Sequence, residues 1–198
     1  MKIGIYGGAF SPPHKMHQKI AEQLLKYVDK VIVVPISDSY QKPHLLKGTD
    51  RLKMFELVTA DNPHIEVSDF EVKGSLYTIN LLNHFQKVYP NDELYFVCGT
   101  DDLDEMNTWN HYEEILRNYH VIVVTRGNDQ VEEILKKYQE FASHIYHVPI
   151  KTKEISSTMI RNEIMMHGFT KKLNQYLDKK VIEYLKTIHL EQYWSEKE

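Results

Sequence analysis

Two histidines three residues apart, His14 and His17, follow an apolar run from Ile3 to Tyr6, the pair Gly7-Gly8 and the double proline Pro12-Pro13. Glycine lets a backbone come close to a ligand, and proline fixes the approach to a helix whose free N–H groups favour an anion. At i and i+3 near that helix start, the two rings share a face and can donate N–H bonds to phosphate oxygens. The stretch reads as a phosphate site. A His-x-x-His pair carries little alone in a chain with 11 histidines. His144-Ile145-Tyr146-His147 supplies the control: it has the same spacing on a short apolar segment ending at Pro149, but no glycine turn before it, and reads as structural. The chain has neither a Gly-x-Gly-x-x-Gly fingerprint nor a P-loop, and Lys15 after His14 excludes the zincin pattern.

A second anion site lies near the C-terminus, in Ile155-Ser156-Ser157-Thr158-Met159-Ile160-Arg161. Ser156 and Ser157 are good N-caps, and Thr158 and Arg161 fall on one helix face. Hydroxyls, exposed N–H groups and a forked guanidinium together suit phosphate.

The elements that must carry these residues are legible as alternating patterns. Ile3 to Tyr6, Val31 to Val34, Ile65 to Val67, Leu94 to Cys98 and Val121 to Val124 are short apolar runs of strand type, and helical spacing separates them. Ile20, Leu24 and Val28 form one helical set, and Leu52, Phe55 and Val58 another, capped by Thr49 or Asp50. Gly74-Ser75 precedes a further set with Ile79, Leu82 and Phe85. The alternation predicts an α/β fold: a doubly wound, Rossmann-like parallel sheet of about five strands, with helices on both faces and a C-terminal helical segment. Ligands then bind at the carboxyl ends of strands, at a topological switch point. The ends of the first and fourth strands, Gly7-Gly8 and Gly99-Thr100-Asp101, mark that place. Ile36 to Gly48 has turn formers and no period, and reads as a loop able to cover a ligand.

With 198 residues the chain suits one folded unit, 1–150 as the Rossmann-like core and 151–198 as the C-terminal helical segment. A net charge of −4 with mixed signs gives no basic field for nucleic acid. Cys98 is the only cysteine and lies in an apolar run, which fits a reducing compartment and buried filler. No signal-peptide pattern or long apolar run is present, so a cytoplasmic protein without membrane attachment is expected. Homo-oligomerisation is left open by the sequence.

Several of these stretches, taken in order, resemble the nucleotidyltransferase superfamily with the His-x-Gly-His signature, and most closely the bacterial nicotinate mononucleotide adenylyltransferases. The resemblance rests on Gly7 to His17, Arg51-Leu52, Ala60 to His64, Tyr77-Thr78, Tyr95 to Asp101, Thr108-Trp109 and Ile155 to Arg161. It implies transfer of AMP from ATP to the 5′-phosphate of a pyridine mononucleotide, with release of pyrophosphate and with Mg²⁺ bridging phosphate oxygens. It further implies that His14 and His17 contact the ATP phosphates, with Ser157, Thr158 and Arg161 at the leaving pyrophosphate. Gly7, Gly8 and Phe10 would pass close to ATP by their backbone, and Gly99 and Asp101 would hold the adenosine. Lys42, Thr78, Trp109 and Asn110 would receive the acceptor, the indole stacking on the pyridine ring.

The chain also departs from the family pattern. Ser11 stands where an acidic or amide residue is usual, and Met16 replaces the glycine between the histidines. Gln41-Lys42-Pro43-His44-Leu45 replaces a common Pro-Pro-His-basic run, leaving Lys42 as the cation. These changes bear on the acceptor, for which nicotinamide mononucleotide is the nearest alternative. A non-catalytic nucleotide-binding regulator is the alternative from another class.

Overall fold

The computed structural model describes residues 1–40, 42–74, 77–125, 131–150 and 155–194. Gln41 and Ser75, which figure in the sequence reading, lie outside the described residues.

Six strands form one parallel sheet: β1 (Lys2–Gly8), β2 (Lys30–Pro35), β3 (Ile65–Val67), β4 (Glu93–Gly99), β5 (His120–Thr125) and β6 (Ile145–Pro149). Their order is β3-β2-β1-β4-β5-β6, so the chain reverses its direction of winding between β1 and β4. The sixth strand extends the expected five. It is an edge strand whose Tyr146 and His147 are exposed, so it lacks the unbroken apolar run that marks its neighbours.

The helices are α1 (Lys15–Leu24), α2 (Gly48–Thr59), α3 (Thr78–Val88), α4 (Thr100–Glu105), α5 (Tyr112–Asn118), α6 (Val131–Lys136), α7 (Ser157–His167), α8 (Lys179–Leu185) and α9 (Glu191–Trp194). Strand side chains alternate between two apolar cores, as a period of two requires. Val31 and Val33 pack with Ile20 and Leu24 of α1, Phe55 of α2, Ile160 of α7 and Val181 of α8. Ile32 and Val34 face the other way, toward Leu82 and Phe85 of α3 and Leu116 of α5. Both faces of the sheet are therefore covered, which is why β2 and β5 carry unbroken β-branched runs and β4 an unbroken apolar one. The C-terminal helical segment is built from α7, α8 and α9, and Trp194 enters the first core.

The start of α2 differs from expectation. The helix begins at Gly48, Lys47 holds the N-cap position without a side-chain bond, and Asp50 accepts instead from the Tyr184 hydroxyl at 2.9 Å. The reason is steric: a Cβ on Gly48 would lie 2.6 Å from Val72 Cγ1 and 3.0 Å from Asp38 Oδ1, so two loops press on this first turn. One turn later Arg51 is completely buried. Its guanidinium donates to the carbonyls of Leu46 (2.8 Å), Ala9 (3.0 Å) and Ile36 (2.7 Å) and pairs with Asp38 Oδ1 (2.7 Å). Burial works against the charge and Asp38 supports it. The planar fork thus joins the loop after β1 to both ends of the loop after β2.

Arg51→Met should lower stability by about 3–5 kcal/mol, because buried carbonyls lose their donors together with the ion pair. Arg51→Lys should recover only part of that, since a single ammonium cannot span three carbonyls and a carboxylate. Chemical denaturation of both variants measures this, and a wild-type midpoint for the lysine variant would refute the clamp.

Candidate active site

β1 delivers Gly7 and Gly8 to the switch point, and the backbone then turns through Phe10, whose φ is +46°. A Cβ on Gly8 would sit 2.7 Å from Phe10 Cζ, so only glycine leaves room for that ring. The Phe10 side chain is buried, edge-on to Tyr6, Phe55 and His17, with centroids 5.2, 4.8 and 5.0 Å away. The Phe10 ring is therefore part of the support beneath His17 as well as part of the cavity lining.

His14 takes the N-cap position of α1 and His17 its third residue. The backbone N–H of His14 donates to His17 Nδ1 at 3.2 Å, and the two rings stack at 3.6 Å with an 18° tilt. An Nδ1 that accepts a bond leaves the proton of a neutral imidazole on Nε2. The helix cap thus sets the tautomer. Met16, between the two histidines, is buried in the first core with Ile20 and Leu24 of the same helix.

A cavity of about 430 Å³ opens at this switch point. Gly7, Gly8, Phe10, His17, Lys42, Thr78, Gly99, Asp101, Trp109 and Asn110 all line it, drawn from both halves of the sheet. Trp109 lies edge-on to Phe96 at 5.9 Å, which orients the indole. His14, Ser157, Thr158 and Arg161 fall outside that lining and form an adjoining cluster. Arg161 Nη1 donates to the Ser11 carbonyl at 2.8 Å and Nη2 to Thr158 Oγ1 at 2.9 Å, while Ser157 Oγ donates to the Pro12 carbonyl at 2.9 Å. Ser156 caps α7 by accepting from Met159 N at 3.1 Å. The two anion-binding stretches read from the sequence therefore meet through the 11–12 turn, 145 or more residues apart in the chain.

Other residues were not legible as site residues. Asp102 stands in what reads as a solvated helix start, yet its Oδ2 accepts from Gly99 N at 3.2 Å and fixes the turn out of β4. Ser11 is buried, and its hydroxyl accepts from Leu46 N at 3.0 Å and donates to the His44 carbonyl, which Trp194 Nε1 also reaches at 3.1 Å. The loop from Ile36 to Gly48 is thus tied at both ends, and Tyr40 and Lys42 from it line the cavity. Glu71 and Tyr77 also line the cavity. Glu71 is 5 % exposed, and burial lifts its carboxyl to about 7, against a lowering pull from Arg51. Nothing in the local sequence around it signals that burial. The Cys98 thiol, at the end of β4, is pushed up by burial, in keeping with its reading as filler.

A β1 glycine turn runs into a histidine-bearing helix and faces a glycine–acid turn after β4 across the crevice of the parallel sheet. The chain belongs to the cytidylyltransferase-like family, whose model matches residues 5–163. Its sequence is 35 % identical over 197 residues to a protein of Caldicellulosiruptor bescii named probable nicotinate-nucleotide adenylyltransferase, covering 94 % of this chain and 96 % of that one. A protein of the same name from Flavobacterium johnsoniae is 36 % identical over 192 residues, covering 93 % and 96 %. The fold matches that of Plasmodium falciparum nicotinic acid mononucleotide adenylyltransferase complexed with NaAD, with a TM-score of 0.82 at 23 % identity, over 97 % of this chain and 98 % of that one. No helix among the described residues is long and apolar enough to cross a membrane.

The Glu71 carboxyl makes stability depend on pH. Below its unfolded value near 4.5 it is neutral in both states; from there to about 7 the unfolded chain ionises while the fold retains the proton, so its contribution is lost as pH rises. Glu71→Gln, which cannot ionise, should therefore gain on the wild type between pH 5 and pH 8, by up to about 3 kcal/mol. Thermal melts at the two pH values test this, and an equal offset at both would disprove it.

Proposed function

We propose that the chain transfers the adenylyl group of ATP to the 5′-phosphate of nicotinate mononucleotide, forming deamido-NAD and pyrophosphate. The observation that carries this reading is the single cavity at the β1/β4 switch point, with His17 on one side and Thr78, Trp109 and Asn110 on the other. It offers one wall to a triphosphate and another to an aromatic acceptor. The whole of 1–198 acts as one nucleotidyltransferase domain, 1–150 supplying the sheet and 151–198 the helix that brings Ser157, Thr158 and Arg161 to the phosphate turn.

The nucleophile in this reaction is an ionised phosphate oxygen. It forms a bond to the α-phosphorus of ATP as the bond to the bridging oxygen of pyrophosphate breaks, and no proton has to be removed. Catalysis is then positioning plus stabilisation of charge. His17, its Nδ1 engaged by the helix cap, presents Nε2–H to a phosphate oxygen, and His14 backs it by ring stacking. Ser157, Thr158 and Arg161 place hydroxyls and a cation on the side where pyrophosphate leaves. Gly7, Gly8 and Phe10 border ATP, and Gly99 and Asp101 hold the adenosine. Lys42 supplies a cation near the acceptor, Trp109 stacks on its ring, and Thr78 and Asn110 offer N–H groups to its carboxylate. Among the described residues no three His, Cys, Asp or Glu side chains converge on a metal position. Mg²⁺ carried by ATP would therefore be held through phosphate oxygens and water, and would supply charge neutralisation. The site otherwise works through its own side chains.

Pyrophosphate release with Mg-ATP and nicotinate mononucleotide, nicotinamide mononucleotide or phosphopantetheine in separate reactions tests the assignment. Preference for the nicotinate nucleotide is expected, and silence with every acceptor would refute adenylyl transfer. His17→Ala should reduce turnover about 10²- to 10³-fold, as loss of one preorganised donor does. An unchanged rate would remove His17 from the mechanism.

A further inference from the structure

The cavity contains a carboxyl that the reaction does not use. Glu71 follows β3 on a turn that packs against the start of α2, where the close approach of Val72 to Gly48 fixes its place. Its carboxyl lines the same cavity as Thr78, Trp109 and Asn110. It has no hydrogen-bond partner among the described residues, although it is 5 % exposed. Arg51 is the nearest cation by its influence, but that guanidinium is already matched by three carbonyls and Asp38.

The surrounding charges sharpen the point. Lining the cavity with Glu71 are Tyr40 and Lys42 from the loop after β2, Tyr77 at the entry to α3, Asp101 and Asp102 from α4, and His17 from α1, while Arg51 of α2, paired with Asp38, acts on it from outside the lining. Asp69 and Lys73, on its own turn, pair with each other on the surface. Three carboxyls therefore border a cavity whose described lining holds one lysine and one histidine. A pyridine mononucleotide adds a phosphate to that balance in either form. The nicotinate form adds a second carboxylate-type charge, and the nicotinamide form does not.

We propose that Glu71 determines acceptor specificity: the anionic pyridine carboxylate enters the cavity only with a proton on Glu71, whereas the neutral carboxamide enters without one. This rests on the acceptor reading given above. The carboxyl's position near 7 makes the coupling active at neutral pH. The nicotinate-competent fraction is then the protonated one, and apparent affinity scales with that fraction. Preference for nicotinate over nicotinamide mononucleotide falls about tenfold from pH 6 to pH 8. The phosphate of the two acceptors titrates alike, so it cancels in the ratio.

The test is calorimetric titration of the full chain with each mononucleotide at pH 7, in two buffers of different ionisation enthalpy, alongside the acceptor preference in pyrophosphate release from pH 6 to 8. The wild type should take up about half a proton more with nicotinate than with nicotinamide mononucleotide. Glu71→Gln should abolish that difference and flatten the preference against pH, and Glu71→Leu should do the same if the glutamine variant folds poorly. Equal proton uptake for the two acceptors, or an unchanged difference in either variant, would overturn the proposal while leaving adenylyl transfer intact. Failure of both mononucleotides to bind would overturn the acceptor reading and this proposal together.

Discussion

A guanidinium with no access to solvent holds the working end of this molecule together. Arg51 joins Ala9 of the β1 loop to Ile36, Asp38 and Leu46 of the β2 loop, and those are the two segments that form one side of the cavity. A buried charge is tolerated only where its donors are matched, so the position of Arg51 dictates where both loops run. Gly48 must then be small, because Val72 and Asp38 crowd the same turn, and Glu71 is carried to the cavity wall as a result.

On that frame the His17 side of the cavity is assembled by stacking. Gly8 makes room for Phe10, Phe10 meets His17 edge-on, and the His14 cap holds His17 by both a hydrogen bond and ring contact. Each contact restricts the next, so the imidazole reaches the cavity with its tautomer and plane already set. For a reaction whose nucleophile needs no activation, this kind of preorganisation is the main contribution a protein can make.

The departures from the family pattern find a physical place in this arrangement. Ser11 is buried and bridges Leu46 and His44, tying the loop after β2 to the turn before α1. Trp194, near the far end of the chain, secures the same His44 carbonyl. Arg161 grips the Ser11 carbonyl from the opposite side. One residue of the phosphate turn is thus the meeting point of the β2 loop and the C-terminal helices.

The sequence by itself determined the parallel architecture, the switch point and the two stretches, 7–17 and 155–161, that the fold brings together. Those follow from local rules: β-branched runs form buried strands, glycine and proline punctuate them, and serines cap helices. It also located the glycine-marked strand ends at the cavity, Gly7-Gly8 and Gly99 with Asp101, while Lys42, Thr78, Trp109 and Asn110 came from the family resemblance. Only the tertiary structure decided the rest. That Arg51 is a clamp, that Glu71 is buried and elevated, that Ser11 ties two loops together, and that Tyr146 and His147 sit on a sixth strand all depend on partners many residues away. Burial and hydrogen-bond matching are properties of the packed chain, and no local pattern encodes them.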